Sequence, residues 1–193
     1  MKQALVLASW VLTGLVARPA GGDEPHRLHA EVDPLPFALG GYGGQIGFRG
    51  AGQPRLRFAV ASFALDVPDA IAQLDSDNDG FHVRVRPSGA LYCLYFLSGP
   101  RGGWVAGGSL RYLRLAYSHD DVPGRTTRLG ELSIEAIAGY KWHPWDAGFY
   151  LQPWLTIARA LARSGDAVVG DREYQQPFVQ FFATVNLGWE LSL

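Results

Sequence analysis

The sequence predicts an all-β fold: a single antiparallel, up-and-down β-barrel of about eight strands. Apolar and polar side chains alternate with a period of two over most of the chain, and convincing amphipathic helices are absent. The connections between these segments are short and long in turn. Unequal loops at the two ends are typical of barrels that cross a membrane.

Seven segments carry the alternation. The clearest is 127–142, in which Ile134 and Ala136 lie on the face opposite Ser133 and Glu135. All seven segments are 36–49, 55–65, 81–97, 104–118, 127–142, 148–162 and 179–191. Each is long enough to be a strand of such a barrel.

The eighth strand follows from the lengths of the connections. The short ones are 50–54, 98–103 and 143–147, and the long ones are 66–80, 118–126 and 163–176. Membrane barrels have short turns on the periplasmic side and long loops outside. A strand must therefore precede the first short turn, and "RLHAEVD" (27–33), closed by Pro34 and Pro36, fits that place.

Residues 1–22 are typical of a secretory signal peptide, which leaves 23–193 as the barrel domain. Lys2 precedes an apolar core, and Ala20-Gly21-Gly22 provides small residues for cleavage. The alternative is a short N-terminal helix of the domain. Cys93 is the sole cysteine, so no intrachain disulfide is expected. The formal net charge of −1 gives no indication of a nucleic-acid partner, and no motif predicts a cofactor.

The polar faces are highly charged, which favours lipid rather than water on the apolar faces. Eight strands enclose just enough room for side chains, and charges buried there must pair. We predict an interior network of Arg57, His82, Arg84, Arg86, Arg111, Arg114, Glu131, Glu135, Lys141 and Glu190. In it, the arginines of segments 81–97 and 104–118 pair with Glu131 and Glu135. A β-bulge near Tyr112 is needed to keep Arg111 and Arg114 on one face.

Aromatic residues gather beside the short turns and the C-terminus, as in the belts at a membrane interface. The predicted interface residues are Phe48, Trp104, Trp142, Trp145, Phe149 and Trp189. Together these patterns predict a transmembrane barrel. The alternative is a soluble periplasmic, lipocalin-like barrel whose apolar faces form a core or a cavity for an apolar ligand. Arg159 favours this alternative, because it lies among the apolar residues of its segment, on the face that would contact lipid in a membrane barrel.

Three stretches add a resemblance to a known class. "ATVNLGWELSL" resembles the terminal strand signal of outer-membrane barrels, with Leu193 in place of the usual aromatic residue. "AEVDPLPFALGGY" and "GFYLQPWL" resemble uncharacterised small eight-stranded outer-membrane barrel proteins of Gram-negative bacteria. The resemblance implies an outer-membrane location, with the lipid bilayer and the barrel-assembly machinery as partners. It implies no assigned activity.

Two motifs could carry chemistry. "DSDNDG" (75–80) places Asp75, Asp77 and Asp79 as in the opening of an EF-hand loop, but Arg86 stands where the bidentate glutamate is required. The stretch therefore predicts a surface loop with weak Ca²⁺ binding at most.

Serine, histidine and acidic residues allow the hypothesis of a lipid hydrolase. Ser118 neighbours His119, and Ser133 shares the polar face with His82, but no nucleophile motif supports either pair. The sequence favours a non-enzymatic structural or interaction role through the long loops. Lipopolysaccharide or another extracellular ligand is the candidate partner there.

Overall fold

The computed structural model describes residues 25–145 and 148–193, so the predicted signal peptide lies outside the described residues. Eight antiparallel strands form a closed ring in which sequence neighbours are hydrogen-bonded, and the predicted up-and-down barrel is confirmed. The ring consists of β1 (Arg27–Val32), β2 (Tyr42–Arg49), β3 (Leu56–Val67), β4 (Phe81–Phe96), β5 (Gly103–His119), β6 (Thr127–Lys141), β7 (Phe149–Gly165) and β10 (Val179–Ser192).

The remaining elements all lie in the long connections. They are α1 (Pro34–Ala38), α2 (Asp69–Ala72), a 3-10 turn (Ser76–Asn78) and a small hairpin of β8 (Val168–Val169) and β9 (Arg172–Glu173). The predicted strand 36–49 therefore begins later, because the Asp33 side chain caps α1 by accepting from the Leu35 N–H. No helix within the described ranges is long and apolar enough to cross a membrane.

The barrel has two unlike ends. Arg27 of β1 pairs with Ser192 of β10, so the first and last strands meet at the end of the barrel that carries the turns 50–55 and 97–102 and the connection from β6 to β7. We call this the short-turn end. The opposite, long-loop end carries 33–41, 68–80, 120–126 and 166–178.

A single irregularity in β4 decides which side chains enter the barrel. Arg86 pairs with Arg114 and Gly89 with Tyr112, so β4 has one extra residue at Pro87-Ser88. The Ser88 hydroxyl donates to the Arg86 carbonyl and accepts from the Arg114 N–H. The predicted bulge in β5 is wrong, since β5 pairs with β6 without interruption from Gly103 to Tyr117.

The outside of the barrel is apolar around its middle. Large aliphatic side chains there are between about two fifths and two thirds exposed, the reverse of what a water-soluble protein does with them. This apolar band includes Ile46, Val60, Leu91, Leu110, Ile134, Leu155, Ile157, Val185 and Leu187.

The inside changes character along the barrel axis. Paired polar side chains share much of its length with one buried apolar cluster, which includes Leu94, Phe96 and Val105. The long-loop end is closed by a second buried apolar cluster, which includes Phe81, Leu113 and Tyr117. Ala72 and Val169, from the long connections, pack on the same cluster. The long connections therefore pack on this cluster, which we call the apolar plug.

Candidate functional site

Glu190 is the centre of the ion-pair group nearest the short-turn end. Its carboxylate binds Lys141, Arg27 and Arg49, with Arg49 Nη2 at 2.8 Å from Oε1. The Lys141 side chain is fully buried, and its Nζ lies 3.9 Å from the centre of the Tyr150 ring. Four elements of the ring therefore meet at one carboxylate, which we call the Glu190 cluster.

Glu31 organises a second group one layer deeper. It accepts hydrogen bonds from Arg57, Gln45 and the Tyr150 hydroxyl, and its residue is only 4% exposed. Arg57 is fully buried. Buried charges are stable only when paired and hydrogen-bonded, so Glu31 and Arg57 depend on each other.

A third group lies towards the long-loop end. Arg111 Nε is 2.9 Å from Glu135 Oε1, and its Nη2 donates to Gln180 at 3.0 Å. Glu131 instead binds Arg163 of β7, with 2.9 Å between Arg163 Nε and Oε2. Of the predicted arginine–glutamate pairs, the structure therefore has Arg111–Glu135. The prediction for Glu131 is wrong, because its ion-pair partner among the described residues is Arg163, which lay outside the predicted network.

Six of the predicted interior residues are buried inside the ring: Arg57, Arg111, Glu131, Glu135, Lys141 and Glu190. The prediction is wrong for the other four, His82, Arg84, Arg86 and Arg114, which are exposed on the outer wall. The extra residue at Pro87-Ser88 is the reason in β4, and uninterrupted alternation turns Arg114 outward in β5.

Two of these outward residues have acidic partners on the same wall. Arg84 Nη2 lies 3.0 Å from Asp66 Oδ2. His82 is within hydrogen-bond distance of both Asp69 (2.8 Å) and Asp120 (3.0 Å). These are exposed pairs, so each contributes little to stability, roughly 0–1 kcal/mol.

The predicted interface aromatics lie at strand ends or turns at the short-turn end. Phe48, Trp104, Trp142, Trp145 and Trp189 are exposed, and Phe149 is half-buried. Several contact one another: the Trp145 and Phe149 ring centres are 5.4 Å apart. Phe81 and Tyr117, at the other end, are instead buried in the apolar plug.

The acidic loop uses its side chains for its own fold. Asp75 accepts from the Asp77 N–H, and Asn78 exchanges hydrogen bonds with Gln175 of the last long connection. Asp79 offers its carbonyl oxygen to His119. Within 25–145 and 148–193, no group of three or more His, Cys, Asp or Glu residues is placed to hold a metal ion.

The hydrolase hypothesis fails for Ser133 with His82. Ser133 is fully buried, with its hydroxyl accepting from Arg111, whereas His82 lies on the outer wall. His119 is turned inward and bonds to Asp79, while Ser118 is in the outward phase of the same strand. Neither pair can share a substrate.

A cavity of about 350 Å³ opens beside β10. β1 ends at Val32, which pairs with Leu187, whereas β10 continues to Val179. Among the described residues no strand pairs with Val179–Asn186 on that side, and α1 lies there instead, tied to β10 by a 2.7 Å bond from the Thr184 hydroxyl to Asp33. We call this gap in the strand ladder the seam.

The mouth of the seam cavity is apolar, and its buried wall carries both apolar and polar side chains. Leu35, Leu65 and Phe182 are among its apolar walls. Gln45 and Asn186 line its inner end, are 8% and 3% exposed, and keep an Oε1 and an Nδ2 without a hydrogen-bond partner among the described residues. Volume and lining fit a small-molecule site.

Sequence reasoning missed Glu31, Arg49 and Arg163 as members of the interior network. A signal was available for Glu31, which alternates with Ala30 and Val32 in the predicted first strand. Arg163 falls at a predicted loop boundary, and strand β7 extends past it to Gly165. Its inward position depends on a register shift between Leu132 and Ser133 of β6.

No family model matches the chain, and no curated protein matches it. Among solved structures, it is similar to the crystal structure of Neisserial surface protein A (NspA). The two chains are 13% identical, the match covers 89% of this chain and 99% of that chain, and the TM-score is 0.46.

Proposed function

We propose that the protein is an integral outer-membrane β-barrel with a structural or interaction role through its long-loop end. The observation that carries the proposal is the inversion of polarity: ion pairs are buried within the ring, and aliphatic side chains are exposed around it. In water such a surface would be unstable, whereas a bilayer covers it.

The dimensions of the exposed surface support this proposal. On β5 the apolar outward phase runs from Trp104 to Tyr112, and on β6 from Leu132 to Trp142. About 9–11 tilted residues span the hydrocarbon layer. The exposed tryptophans mark one edge of that span, as expected at a membrane interface.

The filled interior argues against a pore. The Glu190 cluster, the Glu31 group and the apolar plug lie one above another inside the ring. This supports a barrel that acts through its surfaces and loops, not by conducting solutes, and supports no enzymatic role.

The first test is where the full-length protein is found and how it migrates. Expressed in a Gram-negative host, it should remain in the detergent-extracted envelope, and its gel mobility should change on boiling as the barrel unfolds. Recovery in osmotic-shock fluid, with the same mobility before and after heating, would establish the soluble lipocalin-like alternative.

A second candidate function, favoured by the seam cavity, is binding of an amphipathic molecule with one aliphatic chain. The unpartnered Asn186 Nδ2 and Gln45 Oε1 suit a head that both accepts and donates, such as a protonated carboxylic acid. The chain would leave through the apolar mouth of the seam.

Asn186→Leu should weaken binding of dodecanoic acid by up to about tenfold, because the buried donor is lost. Titration calorimetry on the detergent-solubilised barrel measures the change. Gln53→Leu, an exposed substitution in the 50–55 turn, is the matched control and should bind like wild type. Equal affinity of all three proteins, or no binding by any, would rule this candidate out.

A further inference from the structure

Three arginines surround a depression of about 310 Å³ on the outer wall, lined by β4, β5, β6 and the end of β7. Arg86 and Arg114 are directly paired across β4 and β5. Arg128 is paired with Ala116 on the next strand, in the same outward phase. All three arginines are exposed.

This arginine trio has no acidic partner within salt-bridge distance in the described part of the chain, unlike its neighbours. Arg84 pairs with Asp66 and His82 with Asp69 and Asp120. None of the nine residues that line the depression is an aspartate or a glutamate. Like charges directly opposite each other destabilise a sheet. An anion from outside the chain would reduce the repulsion between Arg86 and Arg114.

Hydroxyl groups add to the donors in the depression. Tyr112 and Ser164 line it, and Gly130 lies between them. A Cβ at Gly130 would lie 2.6 Å from the Tyr112 hydroxyl and 2.8 Å from Ser164 Oγ, so a larger residue there would displace these two hydroxyl groups from their present positions. Guanidinium and hydroxyl donors around one space are the groups that bind phosphate oxygens.

The depression lies just beyond the apolar band, on the side of the long loops. Leu110 and Ile134, which are 45% and 52% exposed, lie further along β5 and β6 towards the short-turn end. Tyr112 and Leu132 lie between them and the trio. In a membrane this is the depth of the lipid headgroups in the leaflet next to the long loops.

The geometry points to a binding site for the phosphate of a phosphorylated glycolipid in that leaflet. This inference rests on the proposed membrane location, which sets the depth and the source of the anion. The trio would hold one phosphate group against the barrel wall, and the acyl chains would lie along the apolar band.

Native mass spectrometry of the detergent-solubilised barrel with bisphosphorylated lipid A tests the site. The double variant Arg86→Gln/Arg114→Gln should bind at least about tenfold more weakly than wild type, because charge-assisted hydrogen bonds are lost. Gly130→Ala, which keeps every charge, should also bind more weakly, because Tyr112 and Ser164 must move apart.

Arg55→Gln/Arg101→Gln is the charge-matched control, since both residues are exposed at the short-turn end. It should bind lipid A like wild type. Equal binding by both double variants, equal binding of dephosphorylated lipid A, or tighter binding of inorganic phosphate than of lipid A would overturn the inference.

Stability gives an independent readout. In neutral detergent without lipid A, Arg114→Gln should raise the urea midpoint, because it removes a like-charge pair. An unchanged or lower midpoint contradicts the repulsion argument. The cell-fractionation and gel-mobility test described above shows independently whether the protein is a membrane barrel. A wrong membrane location can therefore be distinguished from a wrong lipid-binding site.

Discussion

Glu190→Gln is expected to lower the free energy of unfolding by about 3–5 kcal/mol, the usual cost of removing one partner from a buried ion pair. Lys141, whose side chain is fully buried, loses the carboxylate that compensates its charge. Arg27 and Arg49 lose the same partner. Urea unfolding of the folded barrel in lipid vesicles, followed by tryptophan fluorescence, measures the change.

The loss at Glu190 should be partly reversible by a second substitution. Lys141→Met removes a buried cation, so adding it to Glu190→Gln should recover stability, and the double variant should be more stable than the sum of the single effects predicts. Glu173→Gln, in the exposed β8–β9 hairpin, is the control and should change stability by less than about 0.5 kcal/mol. Equal losses for Glu190→Gln and Glu173→Gln would mean that the cluster does not hold the barrel.

The interior network could be predicted where one strand keeps one environment on each face. In the middle of β6, Glu131, Ser133 and Glu135 point inward and alternate with outward Ile134 and Ala136, as the sequence indicates. The period of two then assigns each side chain to the correct side.

The prediction failed where the surroundings change along a strand. Near the long-loop end the inside becomes apolar and the outer wall becomes polar, so Leu113 enters the barrel and Arg114 leaves it. The alternation of apolar and polar residues separates the two faces of a strand, but it does not show which face points into the barrel. In β5 the inward face changes from polar to apolar towards the long-loop end. A bulge at Tyr112 would keep apolar residues outside along the whole of β5, and the structure has no such bulge between Gly103 and Tyr117.

One signal of the true register was present in the sequence. Pro87 interrupts the alternation of segment 81–97, and proline within a strand marks an edge or a bulge. The signal for α1 was equally local, with Asp33 before Pro34 as an N-cap and first helical residue. The seam was beyond prediction, because it depends on the unequal lengths of β1 and β10 and on how the ring closes between them.

Leu91→Arg is expected to destabilise the barrel in vesicles by about 2–4 kcal/mol, the cost of an arginine near the bilayer midplane. Leu91 is 61% exposed, and its cross-strand neighbours Val60 and Leu110 are exposed aliphatic residues too. If water covered this wall, the same substitution at an exposed position would change stability by no more than about 0.5 kcal/mol.

Depth makes this prediction specific to a bilayer. Leu97→Arg, beside the short-turn end, should cost only about 0–1 kcal/mol, because the arginine reaches the interface there. Leu74→Arg, in the 68–80 connection and 82% exposed, should cost nothing measurable. Urea unfolding in vesicles gives all three values. A graded series, largest at Leu91, is what hydrocarbon produces, whereas three equal small values would place these aliphatic side chains in water and remove the basis for a membrane location.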